Sequence, residues 1–343
     1  MWKLDTRLSW LLQQRYVSVR SKAIGFQIIF IHQVSQTWFA ESERILSTAL
    51  ITMMTPASMI CSSIFSPIIV GNDVSKIKYI NLVYAAPSVL SLVFCILFCK
   101  TSRPTTPPTK SAQNSSSAQI YTFKIFLSSF KTVLTNKTVL GFLAFMGLLL
   151  ATINVLTSQL SQIMCSVGYT SQQMGISTAS FSSSGVVGGI LIGFLAKKTG
   201  KQVTAFKVFY CMASIVCIAL MLILREPNLL FPTMGLLMLF GFFSIGCFPL
   251  SLELAAEETF PLDPVYAETL MHFPAQFLAL VLIPLCNTLT WDFIGTDDTC
   301  GEGIRPWDYT PFFYYLMAQV TVCSCATVFI INPLMKRESF EHK

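Results

Sequence analysis

The chain has 343 residues, of which 53% are hydrophobic and 12% carry a charge. Ordinary globular proteins carry about twice that share of charged residues, so this composition excludes a soluble protein, a disordered tail and a collagen-like chain. The net charge of +6 comes from short segments between apolar runs rather than from one basic face. We therefore expect no nucleic-acid partner, and we predict a multi-pass membrane protein surrounded by lipid.

Eight apolar runs are long enough to cross a bilayer, which requires roughly 20 residues. They lack the strict alternation of barrel strands, and a helix satisfies its own backbone hydrogen bonds in lipid, so the predicted fold class is all-α. The runs occupy residues 46–70, 79–99, 139–160, 176–196, 204–224, 229–252, 266–290 and 311–334.

A ninth candidate, residues 22–39, is weak because it contains His32 and three glutamines. If it crosses the membrane, the five basic residues of segment 1–22 face outward, against the usual distribution of positive charge. If it lies flat at the interface, the same residues face the cytosol. Both topologies remain open at this point.

Basic residues also indicate the orientation of the other runs. If each of the eight crosses once, fourteen Lys and Arg lie on one side and four on the other. The richer side holds segment 100–137, the turn after residue 196 and the C-terminal tail. Positive residues concentrate on the cytosolic side, so we expect a cytosolic C-terminus, in the plasma membrane or in an intracellular membrane.

The turn at residues 193–201 reads GFLAKKTGK. Gly193 and Gly200 would let two helix ends approach across a tight turn. The turn resembles the cytosolic loop motif of the major facilitator superfamily, which is roughly Gly-x-Leu-Ala-Asp-Arg-x-Gly-Arg. The alternative is an ordinary basic loop. Lys197 stands where that motif has Asp.

Segment 240–261 reads FGFFSIGCFPLSLELAAEETFP and carries the densest polar signal in an apolar region. Pro249 predicts a break or kink near the end of the helix. Glu253 and Glu257 are four residues apart, so they share one helix face. They are either hydrated carboxylates at the membrane border or a pair of gating residues that part and rejoin.

Polar stripes in two other runs predict positions that face a cavity. His272 and Gln276 follow Glu268 at intervals of four, which places all three on one helix face. His272 could bind a proton near neutral pH, or it could be a packing residue. Asn154 and Gln159 belong to a stripe in run 139–160, where such side chains either line a cavity or bond helix to helix.

Cys165 and Cys300 lie outside the apolar runs, on the predicted external side, where disulfides form. A Cys165–Cys300 disulfide is therefore our hypothesis. The chain has no Walker A motif, no His-Glu-x-x-His, no Gly-x-Ser-x-Gly and no Cys-x-x-Cys pair with zinc-site spacing. We expect no enzymatic activity, no catalytic residue, no cofactor and no metal.

Three stretches resemble solute carrier family 49 of the major facilitator superfamily, the group related to the feline leukaemia virus subgroup C receptor. VSQTWFAESERILSTAL (34–50) is similar to the segment after the fourth helix of that family. KTSRPTTPPT (100–109) resembles the start of its central loop, and GFFSIGCFPLSLELAAEETFP (241–261) resembles its tenth-helix motif. Gln276 falls fifteen residues after Pro261, as the eleventh-helix Gln of the family does.

The resemblance implies a major facilitator bundle, truncated at its N-terminus, in which the first three helices have no counterpart. A fragment, a splice form or an incomplete gene model would each give this result. The implied organisation is a non-family segment (1–21), a partial N-terminal bundle (22–99), a cytosolic linker (100–138), a C-terminal six-helix bundle (139–334) and a cytosolic tail (335–343).

The resemblance also implies a carrier of a small organic solute, for example an organic cation such as choline, working by alternating access. Of the solute-binding residues, the resemblance carries over only Gln276. The polar stripes add His272, Asn154 and Gln159 as solute-binding candidates, and the spacing adds Glu253 and Glu257 as gating candidates. The aromatic residue of the family's first helix is missing here, and so is that of its seventh helix, whose position falls near Asn154. A non-transporting receptor, a scaffold or an inactive paralogue is the alternative, and the sequence leaves the oligomeric state open.

Overall fold

A computed structural model describes residues 34–35, 38–70, 76–98, 135, 137–226, 228–259, 264–292 and 307–330. Within them lie ten helices and one pair of short antiparallel strands. The elements are α1 (Glu41–Thr52), α2 (Met54–Val70), α3 (Ile77–Phe98), α4 (Lys137–Ser166), α5 (Ser171–Thr199), α6 (Gln202–Ile223), α7 (Leu230–Ser244), α8 (Cys247–Thr259), α9 (Pro264–Thr288), β1 (Trp291–Asp292), β2 (Trp307–Asp308) and α10 (Thr310–Ile330).

Seven stretches of the described residues are long and apolar enough to cross a membrane, which confirms the all-α membrane fold. They are Ile45–Val70, Leu143–Ser166, Ser171–Thr199, Gln202–Ile223, Leu230–Thr259, Met271–Thr288 and Thr310–Phe329. The predicted run 79–99 forms α3, whose apolar part Lys78–Phe94 is shorter. Most of the weak candidate 22–39 lies outside the described residues.

The predicted run 229–252 is divided into α7 and α8, with the break at Ile245 and Gly246. Pro249 causes it, because proline has no N–H to donate to the carbonyl of Ile245 four residues earlier. The N–H of Phe248 donates to that carbonyl instead, at 3.1 Å. The sequence predicted a break near the end of the helix. Since α8 continues to Thr259, the break instead lies in the middle of the apolar stretch Leu230–Thr259.

Helix α5 lies at the centre of the fold, because small residues let neighbouring helices approach it on two sides. On the first side it packs against α7. A Cβ atom added to Gly188 would overlap the carbonyl of Phe242, and one added to Gly241 of α7 would overlap the carbonyl of Phe181. The backbones of α5 and α7 are therefore in direct contact, as in other membrane bundles that use small residues at helix interfaces.

The second side of α5 contacts the front helices α1 and α2. A Cβ added to Gly189 would overlap the side chain of Met53, and one added to Gly193 would lie 3.0 Å from the Cβ of Ala49. Gly193 is thus a packing residue inside α5, and the expectation that it helps to form the turn is wrong. Its place on the face toward α1 explains why the position requires a small residue.

Gly200 does form the predicted turn. It ends α5 in the left-handed conformation, with φ of +66°, and its N–H donates to the carbonyl of Ala196. Glycine adopts this conformation without the steric cost that other residues incur. Lys197 is exposed in the last turn of α5, where a cation interacts favourably with the end of the helix.

Helices α4 to α10 form the rear bundle, which is built around two clusters of buried apolar side chains. Helix α9 packs along α4, and α10 packs against α6 and α4. The outer faces carry exposed apolar side chains, such as Leu82, Leu90 and Ile96 of α3, each 68% exposed. In a membrane protein such faces are solvated by lipid tails.

We predict that Gly188→Ala destabilises the bundle by about 1–3 kcal/mol, because the added methyl group forces α5 and α7 apart. The melting temperature of the purified protein should fall by several degrees. Gly235→Ala is the matched control, since a Cβ there meets no atom within 4 Å. A melting temperature for Gly188→Ala equal to that of the control would contradict the close contact.

Candidate functional site

A buried carboxylate joins the front helices to the rear bundle. Glu253 of α8 is 4% exposed, and its Oε1 accepts a hydrogen bond of 2.7 Å from the Thr48 hydroxyl of α1. The two residues are 205 positions apart. A carboxylate out of water is costly unless it is hydrogen-bonded, and Thr48 provides such a bond. The interpretation of Glu253 as a hydrated interface residue is therefore wrong.

Two serines extend this contact within the front part. The Ser35 hydroxyl lies 2.7 Å from that of Ser47 and 2.8 Å from that of Thr48. Ser35 and Thr48 are fully buried. A chain of hydroxyl groups therefore leads to the Glu253 carboxylate, and we name Ser35, Ser47, Thr48 and Glu253 the interhalf latch.

Glu257 lies one turn after Glu253 on the same face of α8 and is half-buried. Glu258 is 3% exposed, and the sequence analysis missed it. Both interact with neighbouring groups. Glu253 and Glu257 were identified by their spacing of four residues. Glu258 does not fit that spacing, because it follows Glu253 by five residues and points about 140° away from it around the helix.

His272 lies on the side of α9 that faces α8. Its ring stands edge-on to Phe248, with 5.4 Å between the ring centroids. Both ring nitrogens are buried, and neither has a hydrogen-bond partner among the described residues. Gln276 follows one turn later and is half-buried, with an interacting neighbour. The side chain of Glu268 lies outside the described residues.

Helix α9 turns three different faces to its surroundings. Gly147 of α4 contacts it closely, since a Cβ there would lie 3.5 Å from the Ala275 nitrogen. On another face Phe273 and Phe277 are 71% and 59% exposed. From helical geometry, Gln276 lies between that exposed face and the side of His272. Gln276 is thus placed at the edge of the packed bundle, and solute binding by it stays a prediction.

The structure separates Asn154 from Gln159, although both belong to α4. Asn154 is half-buried, whereas Gln159 is fully buried and neither side-chain amide atom has a partner among the described residues. Five residues correspond to about 140° around a helix, so the two side chains face different directions. Gln159 shares its face with Thr152, whose hydroxyl accepts a 3.0 Å hydrogen bond from Gln319 of α10. Solute binding by Gln159 stays a prediction.

Cys165 is disulfide-bonded. The sequence predicted that this cysteine lies beyond the membrane span. Because α4 continues to Ser166, Cys165 instead lies in the last turn of the helix. Cys300 lies outside the described residues, so the Cys165–Cys300 pairing stays a prediction. In the part of the chain that the structure describes, no three His, Cys, Asp or Glu side chains are grouped so that they could hold a metal ion.

Comparison with known proteins identifies the family. The Major Facilitator Superfamily profile matches residues 23–287 of this chain. The chain belongs to the Major Facilitator Superfamily. The family match and the seven apolar stretches found among the described residues agree with the superfamily fold that the sequence motifs implied.

The relatives agree with the predicted resemblance to solute carrier family 49. The chain is 24% identical to solute carrier family 49 member A3 of Xenopus tropicalis over 310 residues, which cover 89% of this chain and 62% of that protein. It is 23% identical to the member A3 protein of Danio rerio over 257 residues, 75% of this chain and 53% of that protein.

A third relative is an uncharacterized transporter of the major facilitator type from Caenorhabditis elegans. It is 24% identical over 271 residues, which cover 76% of this chain and 45% of that protein. The chain thus spans about half to three-fifths of the length of the curated relatives it matches. As a superfamily member whose described residues include seven membrane-length apolar stretches, it is a multi-pass membrane protein of a transporter family.

We predict that Thr48→Val, which keeps the shape but removes the hydroxyl, destabilises the protein by about 1–3 kcal/mol, since it leaves a buried carboxylate without this donor. The melting temperature should fall, and Thr48→Ser should retain most of the stability. Thr204→Val is the matched control because Thr204 is exposed on α6. Equal melting temperatures for Thr48→Val and Thr204→Val would show that the bond contributes nothing.

We also predict that Cys300→Ser abolishes the disulfide of Cys165. Peptide mass spectrometry of the unreduced protein should find the two cysteines in one linked peptide, and alkylation should reach Cys165 after the substitution. Cys325→Ser should leave the linked peptide unchanged, because Cys325 is a free thiol. A linked peptide that joins Cys165 to another cysteine would overturn the pairing.

Proposed function

We propose that this chain acts as a carrier of a small organic solute and works by alternating access. In superfamily carriers two bundles rock around a midplane site and open it to each side of the membrane in turn. The observation that carries the proposal is the bond between Thr48 and Glu253, which joins the front helix α1 to the rear helix α8. It is a polar bond at the boundary along which such bundles separate.

The interhalf latch suits a contact that opens and closes. While α1 and α8 are packed together, Thr48 supplies a donor to the buried carboxylate. When they separate, water can hydrate both groups, so little hydrogen-bonding free energy is lost. A polar latch therefore allows two conformations of similar free energy, and a solute that prefers one of them shifts the population. Glu257, on the same face, would belong to this gate.

Gln276 and Asn154 are the residues that we propose for the solute site. Both are half-buried carboxamides, which offer hydrogen-bond donors and acceptors without a fixed charge. Phe277, next to Gln276 in the chain, exposes its ring. The proposed site would bring this exposed ring to the solute, and an electron-rich ring attracts an organic cation. We therefore propose solutes such as choline, with His272 adjusting the site.

The distribution of basic residues supports a cytosolic location for the C-terminus and for the turn at Gly200, with the carrier in the plasma membrane or in an intracellular membrane. With the chain in this orientation, α8 ends at the cytosolic side, and the interhalf latch would close the cytosolic entrance. The solute and the surrounding lipids are the partners that this proposal requires.

The proposal is tested by uptake of labelled choline, ethanolamine and pyridoxine into cells that express the chain. We expect uptake of at least one solute above that of the empty vector, and a loss of about tenfold with Gln276→Ala, because one good hydrogen bond to a solute corresponds to roughly that factor. Gln162→Ala is the matched control, since Gln162 is exposed at the end of α4.

Surface expression of each variant should be measured on the same cells, so that lost uptake is not confused with lost protein. Equal uptake by the wild type, the Gln276→Ala variant and the empty vector would contradict transport of these solutes. It would favour the non-transporting alternative, a receptor, scaffold or inactive paralogue.

A further inference from the structure

The environment of His272 does not suit a residue whose purpose is packing. Both imidazole nitrogens are sealed from solvent, and neither has a hydrogen-bond partner among the described residues. An unpaired buried donor or acceptor costs free energy relative to an apolar side chain of the same shape. A phenylalanine would make the same edge-on contact with Phe248 without that cost. The imidazole is therefore suited to a conformation other than the one described here.

The helices packed against α9 present no charge to His272 in the described residues. On α8 the ring of Phe248 faces it, and Glu253 and Glu257 project about 140° and 180° around that helix from Phe248. Glu258 lies ten residues, about 15 Å, further along the axis. Cys247, the remaining titratable group of α8, is fully buried.

Helix α4 contacts α9 through Gly147, and from residue 138 to its end at Ser166 it carries no charged residue. On α9 itself Glu268 precedes His272 by one turn, with a side chain outside the described residues, and the uncharged Gln276 follows. A positive charge on His272 would consequently be buried without a described counter-charge, which is unfavourable. The closed conformation requires the neutral imidazole.

We propose that His272 is a proton-binding switch of the carrier. It is neutral while α8 and α9 enclose it. When the latch opens, α8, which the break at Ile245 and Gly246 divides from α7, moves away from α9, and one ring nitrogen takes a proton from water. The resulting imidazolium opposes closure because its return would bury an unpaired charge. Imidazole binds protons near neutral pH when it is hydrated, so the switch responds to physiological acidification.

The open conformation binds one more proton than the closed conformation, so lowering the pH shifts the population toward the open one. The inference rests on the proposed function in one respect, because it assumes that the chain exchanges between two conformations. Its test is therefore a measurement of conformation that requires no known solute.

The experiment is hydrogen–deuterium exchange with mass spectrometry on the full chain in lipid nanodiscs, at pH 7.5 and pH 5.5, corrected for the intrinsic pH dependence of amide exchange. Exchange in α8 and in residues 264–280 of α9 should rise about fivefold at the lower pH in the wild type. In His272→Phe, which keeps the contact with Phe248 but cannot bind a proton, it should not change with pH. His342→Phe controls for the loss of a histidine elsewhere.

A wild type without a pH response, or a His272→Phe variant that responds like the wild type, would overturn the proposal. If His272→Phe does not fold, His272→Gln serves instead, since it is polar but does not titrate in this range. Uptake that is present but independent of pH, together with unchanged exchange, would reject the switch and leave the carrier intact. A pH-dependent exchange without uptake of any labelled solute would support the switch and reject transport of those solutes.

Discussion

The hydrogen bond from Thr48 to the Glu253 carboxylate is the interaction on which the arrangement of the front and rear parts depends. Glu253 is nearly inaccessible to solvent, and a carboxylate in that position needs a donor to compensate for the lost hydration. The donor comes from a helix 205 residues earlier in the chain. The position of α1 against α8 is therefore set by a polar requirement as well as by apolar packing.

The rest of the fold brings these two groups together. Helix α5 contacts α7 on one side and α1 and α2 on the other, and small residues on both sides allow the close approach. If Gly193 had a larger side chain, it would push Ala49 away, and Thr48 is the neighbour of Ala49 in the same helix. The small-residue faces of α5 and the polar latch are thus parts of one interface.

The positions of most helices could be predicted from the sequence, because lipid requires long apolar segments that satisfy their own backbone groups. That Pro249 would break the helix was predictable, because proline removes the hydrogen bond to the carbonyl four residues earlier. The position of the break within the membrane stretch was not predictable, because α8 continues past the apolar run. Gly193 was assigned to the turn because its neighbours match a loop motif, whereas contact with α1 determines its role.

The candidate site was harder to predict. A spacing of four identified Glu253 and Glu257, and that rule concerns one helix alone. It carries no information about which distant hydroxyl meets the carboxylate, so Thr48 was not singled out as its partner, and Glu258 was missed. Asn154 and Gln159 were placed in one stripe, although their spacing of five already puts them on different faces. The burial of Gln159 and the unpaired nitrogens of His272 depend on neighbours that become visible only in the folded chain.

The central claim is that Gln276 lies at a site that opens to each side of the membrane in turn. The most direct test introduces Gln276→Cys and applies a membrane-impermeant thiol reagent from one side and then from the other, with the labelled peptide identified by mass spectrometry. The account predicts labelling from both sides, and loss of labelling from one side when a Thr48→Cys and Glu253→Cys pair is oxidised to close the latch. Absence of labelling at position 276 from either side would contradict it.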